Sequence, residues 1–419
     1  VTYDYAVVGL GYVGMPLARA AAAVGGRVVG FDVAAHRVEM LNTGRSPVDT
    51  VSDAELAVML EQGFTATTDP AVLAASDTIV ICVPTPLDGD HRPNLGQVCA
   101  AAETVGAHLR AGTLVVLEST IWPGATEGVV LPILERSGLR AGRDFGLAYS
   151  PERIDPGNPH YGVQNTPKLV AGYTRACGDR AAAFYGKFVA EVVPVSGIRE
   201  AELSKLLENT YRSVNIALVN EMAMFCDELD IDLWESIEAA ATKPFGFERF
   251  LPGPGVGGHC IPVDPVYLAH TARGLGRPFR LVELAVEVNE RMPGHVFSRI
   301  QHTLNTVGRC TNGARVLLVG VTYKPDVSDV RETPAVPLAR ALRRAGAHVV
   351  FTDPLIGEWV VDGEPVDREE DLAAAAASCD IAVLLQPHRT LDLRDITAGG
   401  CPVLDTRGVM PADPRVSRL

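Results

Sequence analysis

The 419-residue sequence predicts an α/β chain in which two doubly wound halves flank a middle built on long helices. Three observations carry this prediction. A β-rich run from Tyr5 to Gly9 opens into a glycine-rich turn, a helical Pro16 to Val24 and a second strand, Val28 to Asp32. The pattern returns as Arg315 to Gly320, a helical Pro337 to Gly346 and His348 to Asp353, and the strand Asp77 to Pro84 is answered by Asp380 to Pro387. Between the halves, from about residue 198 to 298, strand signals disappear. Strands that alternate with helices build parallel sheets covered on both faces. The expected organisation is therefore two Rossmann-like domains, 1–197 and 299–419, joined by a central long-helix domain, 198–298.

The first turn is chemically specific. Gly9-Leu-Gly11-Tyr-Val-Gly14 lies between a strand and a helix, the context of a dinucleotide-binding βαβ unit. Gly9 permits the tight turn, Gly11 lets a pyrophosphate meet the backbone at the helix N-terminus, and Gly14 allows close helix-to-strand packing. Asp32 ends the next strand, where a carboxylate takes ribose hydroxyls and repels a 2′-phosphate, so NAD is favoured over NADP although Arg37 lies nearby. The second half lacks this glycine pattern and carries Thr322-Tyr-Lys-Pro325 at its first turn, which suits a different phosphate-bearing ligand. In the middle, Glu200 to Leu229 shows helical spacing at Leu203, Leu206, Leu207, Val214 and Leu218, a spine that buries against a second subunit. Lys205 and Asn209, four apart, share one face of it.

Composition narrows the partners. With 37 basic against 51 acidic residues the formal charge is −14, which argues against nucleic acid or an anionic membrane. An anionic ligand then needs a local basic pocket. The eight cysteines are scattered and form no C-x-x-C, so neither a zinc site nor a disulfide framework is indicated. No charged leader precedes the first strand and no apolar run approaches the ~20 residues of a membrane span, so a soluble, cytoplasmic protein is expected. One cysteine stands apart. Cys260 follows the flexible Gly255-Val-Gly-Gly-His segment and precedes Asp264 by four positions, which suggests a nucleophile with a carboxylate to activate water against its adduct. His259 is a lone histidine here and gives no metal site.

These motifs together resemble the nucleotide-sugar 6-dehydrogenases, which include UDP-glucose dehydrogenase and the UDP-N-acetylhexosamine dehydrogenases. The likeness runs from Tyr5 to about Arg407 and rests on Val8 to Gly14, Cys82-Val-Pro-Thr-Pro86, Glu118-Ser-Thr120, Ser150-Pro-Glu-Arg153, Ala201 to Asn209, the Cys260 run and Tyr323 to Arg331. It implies an NAD-dependent, four-electron oxidation of a sugar C6 alcohol to the uronic acid through a Cys260 thiohemiacetal and thioester. Lys205 and Asn209 match the residues that hold the tetrahedral oxyanions, Asp264 and Glu152 those that position or deprotonate water, and Thr120 the holder of a bound water beside the nicotinamide. Cofactor contacts carry over to Gly9, Gly11, Tyr12, Val13 and Gly14, to Asp32 and Arg37, and to Thr85, Thr120, Glu152 and Arg331. Substrate contacts carry over to Glu152, Arg153, Ile154 and Asp155, to Lys205 and Asn209, to the backbone at Leu251, Gly253, Gly255 and Gly257, and to Tyr323, Lys324 and Arg407. Lys324 and Arg407 supply the positive charge a diphosphate needs. For Arg331 the rival is a surface salt bridge with Asp329 or Glu332.

Two departures bear on the substrate. UDP-glucose members place a lysine just before the aspartate of the cysteine motif, where this chain has Val263. The stretches Ala241 to Phe247 and Ile154 to Asn158 look more like the UDP-N-acetylglucosamine branch. UDP-glucose, UDP-N-acetylglucosamine and TDP-glucose all stay open, as does a place in polysaccharide or natural-product biosynthesis. The apolar spine from Glu200 to Leu229 points to a homodimer. A single-step β-hydroxyacid dehydrogenase shares the Rossmann-plus-long-helix plan but has no use for Cys260 or a second Rossmann half. A non-catalytic nucleotide-binding scaffold has no use for Cys260, Lys205 and Asp264 together.

Overall fold

The computed structural model describes residues 2–155 and 157–419. The chain divides into two compact units, residues 1–208 with 270–277, and residues 209–269 with 278–419.

The first unit is built on an eight-stranded sheet: β1 (Tyr3–Val8), β2 (Val28–Phe31), β3 (Thr65–Thr67), β4 (Ser76–Ile81), β5 (Leu114–Leu117), β6 (Gly146–Tyr149), β7 (Lys168–Gly172) and β8 (Val192–Pro194). Their order is β3-β2-β1-β4-β5-β6-β7-β8, parallel except where β7 runs antiparallel to β6. The central strands are short apolar runs such as Leu-Val-Val-Leu in β5, wholly buried as expected of a sheet covered on both faces. The helix Gly14–Ala23 lays its alanines on that sheet and carries Pro16 in its first turn, where the missing N–H costs nothing. Strand order reverses between β1 and β4, so the crevice beyond their carboxyl ends is the ligand position of such a sheet.

The second unit repeats the scheme with β9 (Arg315–Val319), β10 (His348–Thr352), the small hairpin β11 (Val360–Val361) and β12 (Glu364–Pro365), then β13 (Asp367–Arg368), β14 (Ile381–Leu384), β15 (Val403–Asp405) and β16 (Val416–Arg418). Its six-stranded sheet has the order β13-β10-β9-β14-β15-β16, and every pairing is parallel. The period of two is visible in β9. Val316 and Leu318 enter a core with Met292, Val296, Ile300 and Leu304, while Leu317 and Val319 enter the core on the other face.

Among the described residues no strand lies between Pro194 and Arg315. The predicted spine appears as one 31-residue helix, Ile198–Glu228, and the boundary between the units falls within it, between Glu208 and Asn209. A second long helix, Arg280–Thr306, contains Pro293. A proline in a helix interior leaves the carbonyl four residues back without its N–H partner. Here that carbonyl belongs to Asn289, and the backbone of Gly255 packs beside it.

Candidate active site

In the first unit the glycine turn has the geometry its sequence requires. Gly9 takes φ +93°, and a Cβ there would lie 2.7 Å from the Cys82 carbonyl oxygen. A Cβ on Gly14 would lie 1.9 Å from the Gly9 oxygen, so helix and turn meet only without a side chain. At Gly11 the same construction meets nothing within 4 Å, leaving open space at the start of the helix. The buried Asp32 carboxylate accepts the Leu10 N–H and the Arg37 guanidinium on one oxygen and the Ala34 N–H on the other, each at 2.9 Å. Tyr12 and Val13 pack half-buried on the core, and Thr85 is buried just beyond β4. A close-approach turn, open room at a helix N-terminus and an anchored carboxylate at the end of β2 fit NAD.

Beyond β6 the Glu152 carboxylate is pinned on one oxygen by the N–H groups of Arg153 and Ile154, at 2.7 and 2.5 Å. Its other oxygen faces the Lys168 ammonium at 3.4 Å. Lys168 also lies 3.0 Å from Glu118, which accepts the Tyr185 hydroxyl at 2.5 Å and faces the Cys82 thiol at 3.7 Å. Burial pushes the Glu118 carboxyl, the Cys82 thiol and the Tyr185 phenol above their ordinary values. Burial works against the Lys168 ammonium, but Glu118 and Glu152 together raise it. The Arg153 guanidinium lies on Glu208 at 2.7 Å and donates to the Pro167 carbonyl at 2.7 Å. Thr120 follows β5, on a segment whose Gly124 and Thr126 N–H groups are capped by Glu202. Glu202 sits three residues before the buried Lys205, so one carboxylate registers the Thr120 segment against the start of the long helix.

In the second unit the Cys260 thiol is exposed. Its carbonyl accepts the Asp264 N–H at 2.8 Å, and Asp264, itself buried, starts the helix Asp264–Gly274. Asn209 donates its amide to the Asp264 carboxylate at 2.5 Å. Val263 is buried, so the position that carries lysine in UDP-glucose members is core here. The glycine loop before Cys260 is held at Gly253, whose N–H donates to Asn220 at 2.9 Å; Asn220 in turn donates to Asn289, which donates to the Ser213 carbonyl. Gly257 and Gly258 pass over Tyr323, and a Cβ on either would come within 2.8 Å of that side chain. Arg407 donates Nε to the Leu385 carbonyl at 2.7 Å, and its Nη1 fills the space a Cβ on Gly253 would take, 2.7 Å from that position. Burial pushes this guanidinium down to about 10, the mark of a desolvated cation. Arg331 is turned onto Asp329 at 2.6 Å. Burial, then the charge of Arg331, lowers the neighbouring His259. Pro156, within the Ile154 to Asn158 stretch, lies outside the described residues.

Each unit thus gathers its own part of the predicted set: the NAD turn and the Glu152 cluster in one, Cys260, Asp264 and Asn209 with the glycine loop, Tyr323 and Arg407 in the other. Sequence reasoning missed Lys168, Tyr185, Asn220, Asn289 and Glu202. A lysine inside the otherwise apolar Lys-Leu-Val-Ala-Gly strand was a usable signal, as were lone asparagines on the buried faces of two helices.

The chain matches three successive parts of one family, described as UDP-glucose/GDP-mannose dehydrogenase: the NAD binding domain over residues 4–189, the central domain over 199–291 and the UDP binding domain over 317–412. The chain belongs to the UDP-glucose/GDP-mannose dehydrogenase family. Among its relatives, Protein CapL of Staphylococcus aureus is 39% identical over 354 residues, 84% of this chain and 82% of that protein. UDP-N-acetyl-D-glucosamine 6-dehydrogenase of Pseudomonas aeruginosa is 38% identical over 359 residues, 85% of this chain and 82% of that protein. The solved UDP-D-ManNAc dehydrogenase from Pyrococcus horikoshii superposes with a TM-score of 0.89 at 30% identity, covering 99% of this chain and 98% of that one. This dehydrogenase is therefore an NAD-dependent oxidoreductase acting on a CH–OH group of a nucleotide sugar. Its three-part match leaves no place for the β-hydroxyacid dehydrogenase or scaffold readings. Among the described residues no helix is long and apolar enough to cross a membrane.

Proposed function

We propose that this dehydrogenase oxidises the C6 alcohol of a UDP-N-acetylhexosamine to the uronic acid in two steps, with Cys260 as the covalent nucleophile. The observation that carries the reading is local to the second unit: an exposed thiol one helical turn from a buried carboxylate that Asn209 orients. Bound NAD supplies the hydride acceptor, one molecule for each oxidation. In the first oxidation the alcohol loses its proton and a hydride and becomes an aldehyde. The Cys260 sulfur then bonds to the aldehyde carbon, giving a thiohemiacetal; loss of a second hydride and the hydroxyl proton leaves a thioester. Water cleaves the C–S bond, releases the carboxylate and restores the thiol. Lys205 and Asn209 stabilise the oxyanions that precede each hydride loss, and Asp264 takes the proton of the attacking water. Glu152 and Thr120 hold water in the first unit, and Lys324 and Arg407 bind the diphosphate.

The acetamido sugar is supported by the Ala241 to Phe247 stretch and by the UDP-N-acetyl-D-glucosamine and UDP-D-ManNAc enzymes among the relatives. A pocket built around a C2 acetamido group leaves a polar group unsatisfied when glucose binds, a loss of about 1 to 3 kcal/mol. Comparing kcat/KM for UDP-N-acetylglucosamine, UDP-N-acetylmannosamine, UDP-glucose and TDP-glucose tests this. One acetamido sugar should lead both glucose nucleotides by about tenfold or more, and equal turnover of all four overturns the assignment.

A cytoplasmic homodimer completes the proposal. Leu203, Leu207, Tyr211, Leu218, Met222 and Phe225 are all exposed on the long helix. At helical spacing they share one face, an apolar stripe suited to a second copy. Sedimentation of wild type and Phe225→Asp checks it: the variant should shift toward monomer.

A further inference from the structure

The two sheets carry the same turn twice. After β9, as after β1, a glycine sits at positive φ, +76° at Gly320 and +93° at Gly9. The glycine N–H bonds the end of the neighbouring strand at 2.9 Å in both, to Thr352 and to Phe31. The next N–H bonds a carboxylate: Leu10 donates to Asp32 at 2.9 Å, and Val321 donates to Asp353 at 2.7 Å. The second oxygen accepts an N–H two residues on, from Ala34 in one half and from Leu355 in the other, at 2.9 and 2.8 Å. Asp353 therefore occupies, in the UDP-binding half, the position of the carboxylate that takes the ribose in a dinucleotide-binding half.

What closes on that carboxylate differs. Asp32 meets Arg37, which is partly exposed. Asp353 meets His388, whose Nε2 lies 3.1 Å from its carboxylate with both side chains fully buried. His388 ends Gln386-Pro-His388 just beyond β14, as Thr85 ends Val83-Pro-Thr85 just beyond β4. Its protonation follows from its partners. The Asp326 N–H can only donate, and it points at Nδ1 from 3.0 Å, so the ring proton is on Nε2 and is given to Asp353.

The segment that His388 grips is the turn bearing Lys324. Thr322 lies 3.3 Å from the same Nε2 and gives its hydroxyl proton to the Lys324 carbonyl. Gln386 donates to the Tyr323 carbonyl at 2.7 Å, and Arg389 donates backbone N–H and guanidinium to the Asp326 carboxylate. Asp326 sits at φ +62°, a conformation a non-glycine residue holds only when its surroundings over-determine it. Three residues of one short segment, Gln386, His388 and Arg389, supply that constraint.

We propose that His388 and Asp353 form an internal clamp in the UDP-binding half: the imidazole takes the place of a ligand ribose on the carboxylate and, through Nδ1, holds the Asp326 turn that presents Lys324 to the nucleotide-sugar diphosphate. The proposal makes His388 a positioning residue and rests on the assignment of Lys324 to the diphosphate.

The test uses the full chain, with UDP and NAD as separate titrants. His388→Ala should raise the Kd for UDP about tenfold while the Kd for NAD stays within about twofold. His388→Gln, which keeps one acceptor and one donor, should recover most of the loss. Amide exchange at Asp326 should be slow in wild type and faster in His388→Ala. Wild-type UDP affinity in a folded His388→Ala, equal weakening of both ligands, or a wild-type Asp326 amide exchanging like an open loop would each overturn the clamp. If His388→Ala does not fold, the Gln variant and the wild-type exchange rate decide. Lys324→Ala separates the two ideas: unchanged UDP affinity there refutes the diphosphate assignment, while Asp326 exchange still reports on the clamp.

Discussion

Lys168→Met removes the only ammonium from a buried cluster of two carboxylates, and the structure sets the size of the effect. The Lys168 nitrogen lies 3.0 Å from Glu118 and 3.4 Å from Glu152, with its side chain 8% exposed. At an effective dielectric near 20 each contact represents about 5 kcal/mol of gross attraction, offset by desolvation of all three groups. Methionine keeps the volume and leaves Glu118 with only the neutral Tyr185 hydroxyl and Cys82 thiol beside it among the described residues, so the loss should be about 3 to 5 kcal/mol. The sign of its pH dependence follows from Glu118. A carboxyl whose folded pKa is raised contributes stability that is complete below its unfolded pKa and is lost as pH rises through the folded one. Removing the cation raises that folded value further, so the penalty should be smaller at pH 5 than at pH 8. Urea unfolding at both pH values measures this, with Lys168→Met/Glu118→Gln closing a double-mutant cycle that should recover about 1 kcal/mol or more at pH 8. A loss below about 1 kcal/mol, or an equal loss at both pH values, would refute the reasoning.

Three further outcomes are expected. Gly11→Ala should leave folding stability within about 0.5 kcal/mol, because its Cβ meets no protein atom within 4 Å, yet weaken NAD binding at least about tenfold; Gly14→Ala should cost about 1 to 3 kcal/mol of stability because its Cβ would press on a backbone oxygen. Urea midpoints and NAD titration separate the pair. Arg407→Ala should raise KM for the nucleotide sugar about ten- to a hundredfold with KM for NAD nearly unchanged, the loss of a charge-assisted contact at a partly desolvated cation. Asp264→Asn should slow thioester hydrolysis more than either hydride step, so intact-mass measurement during turnover should find a uronyl adduct on Cys260.

The parts of this enzyme legible in its sequence are those whose constraint is local. Gly9 and Gly14 announce the turn because backbone conformation and close approach leave few other residues possible, and Gly11 keeps open the space a pyrophosphate takes. The β9 and β10 strands announce themselves as buried, β-rich runs, and the 31-residue helix by its apolar spacing. What stayed hidden depends on distant pairing. Lys168 and Glu118 are fifty residues apart and meet only because β7 folds back antiparallel on β6. Asn220 and Asn289 lie on different helices, and their shared hold on Gly253 exists only once those helices pack. Arg153 and Arg331, named as ligand contacts through the family resemblance, have their guanidinium groups on Glu208 and Asp329 in this structure. Gly320 repeats the strained turn of Gly9 without the other two glycines, so the second half's likeness to the first exceeds what its motif reveals.

The central claim is a double oxidation through the Cys260 thiol, and counting NADH tests it most directly. With limiting nucleotide sugar and excess NAD, wild type should release two NADH per sugar and form the uronic acid, while Cys260→Ser should fail to complete the second oxidation because a serine alkoxide is far harder to form at neutral pH. One NADH per sugar from wild type, or two from Cys260→Ser at the wild-type rate, would contradict it.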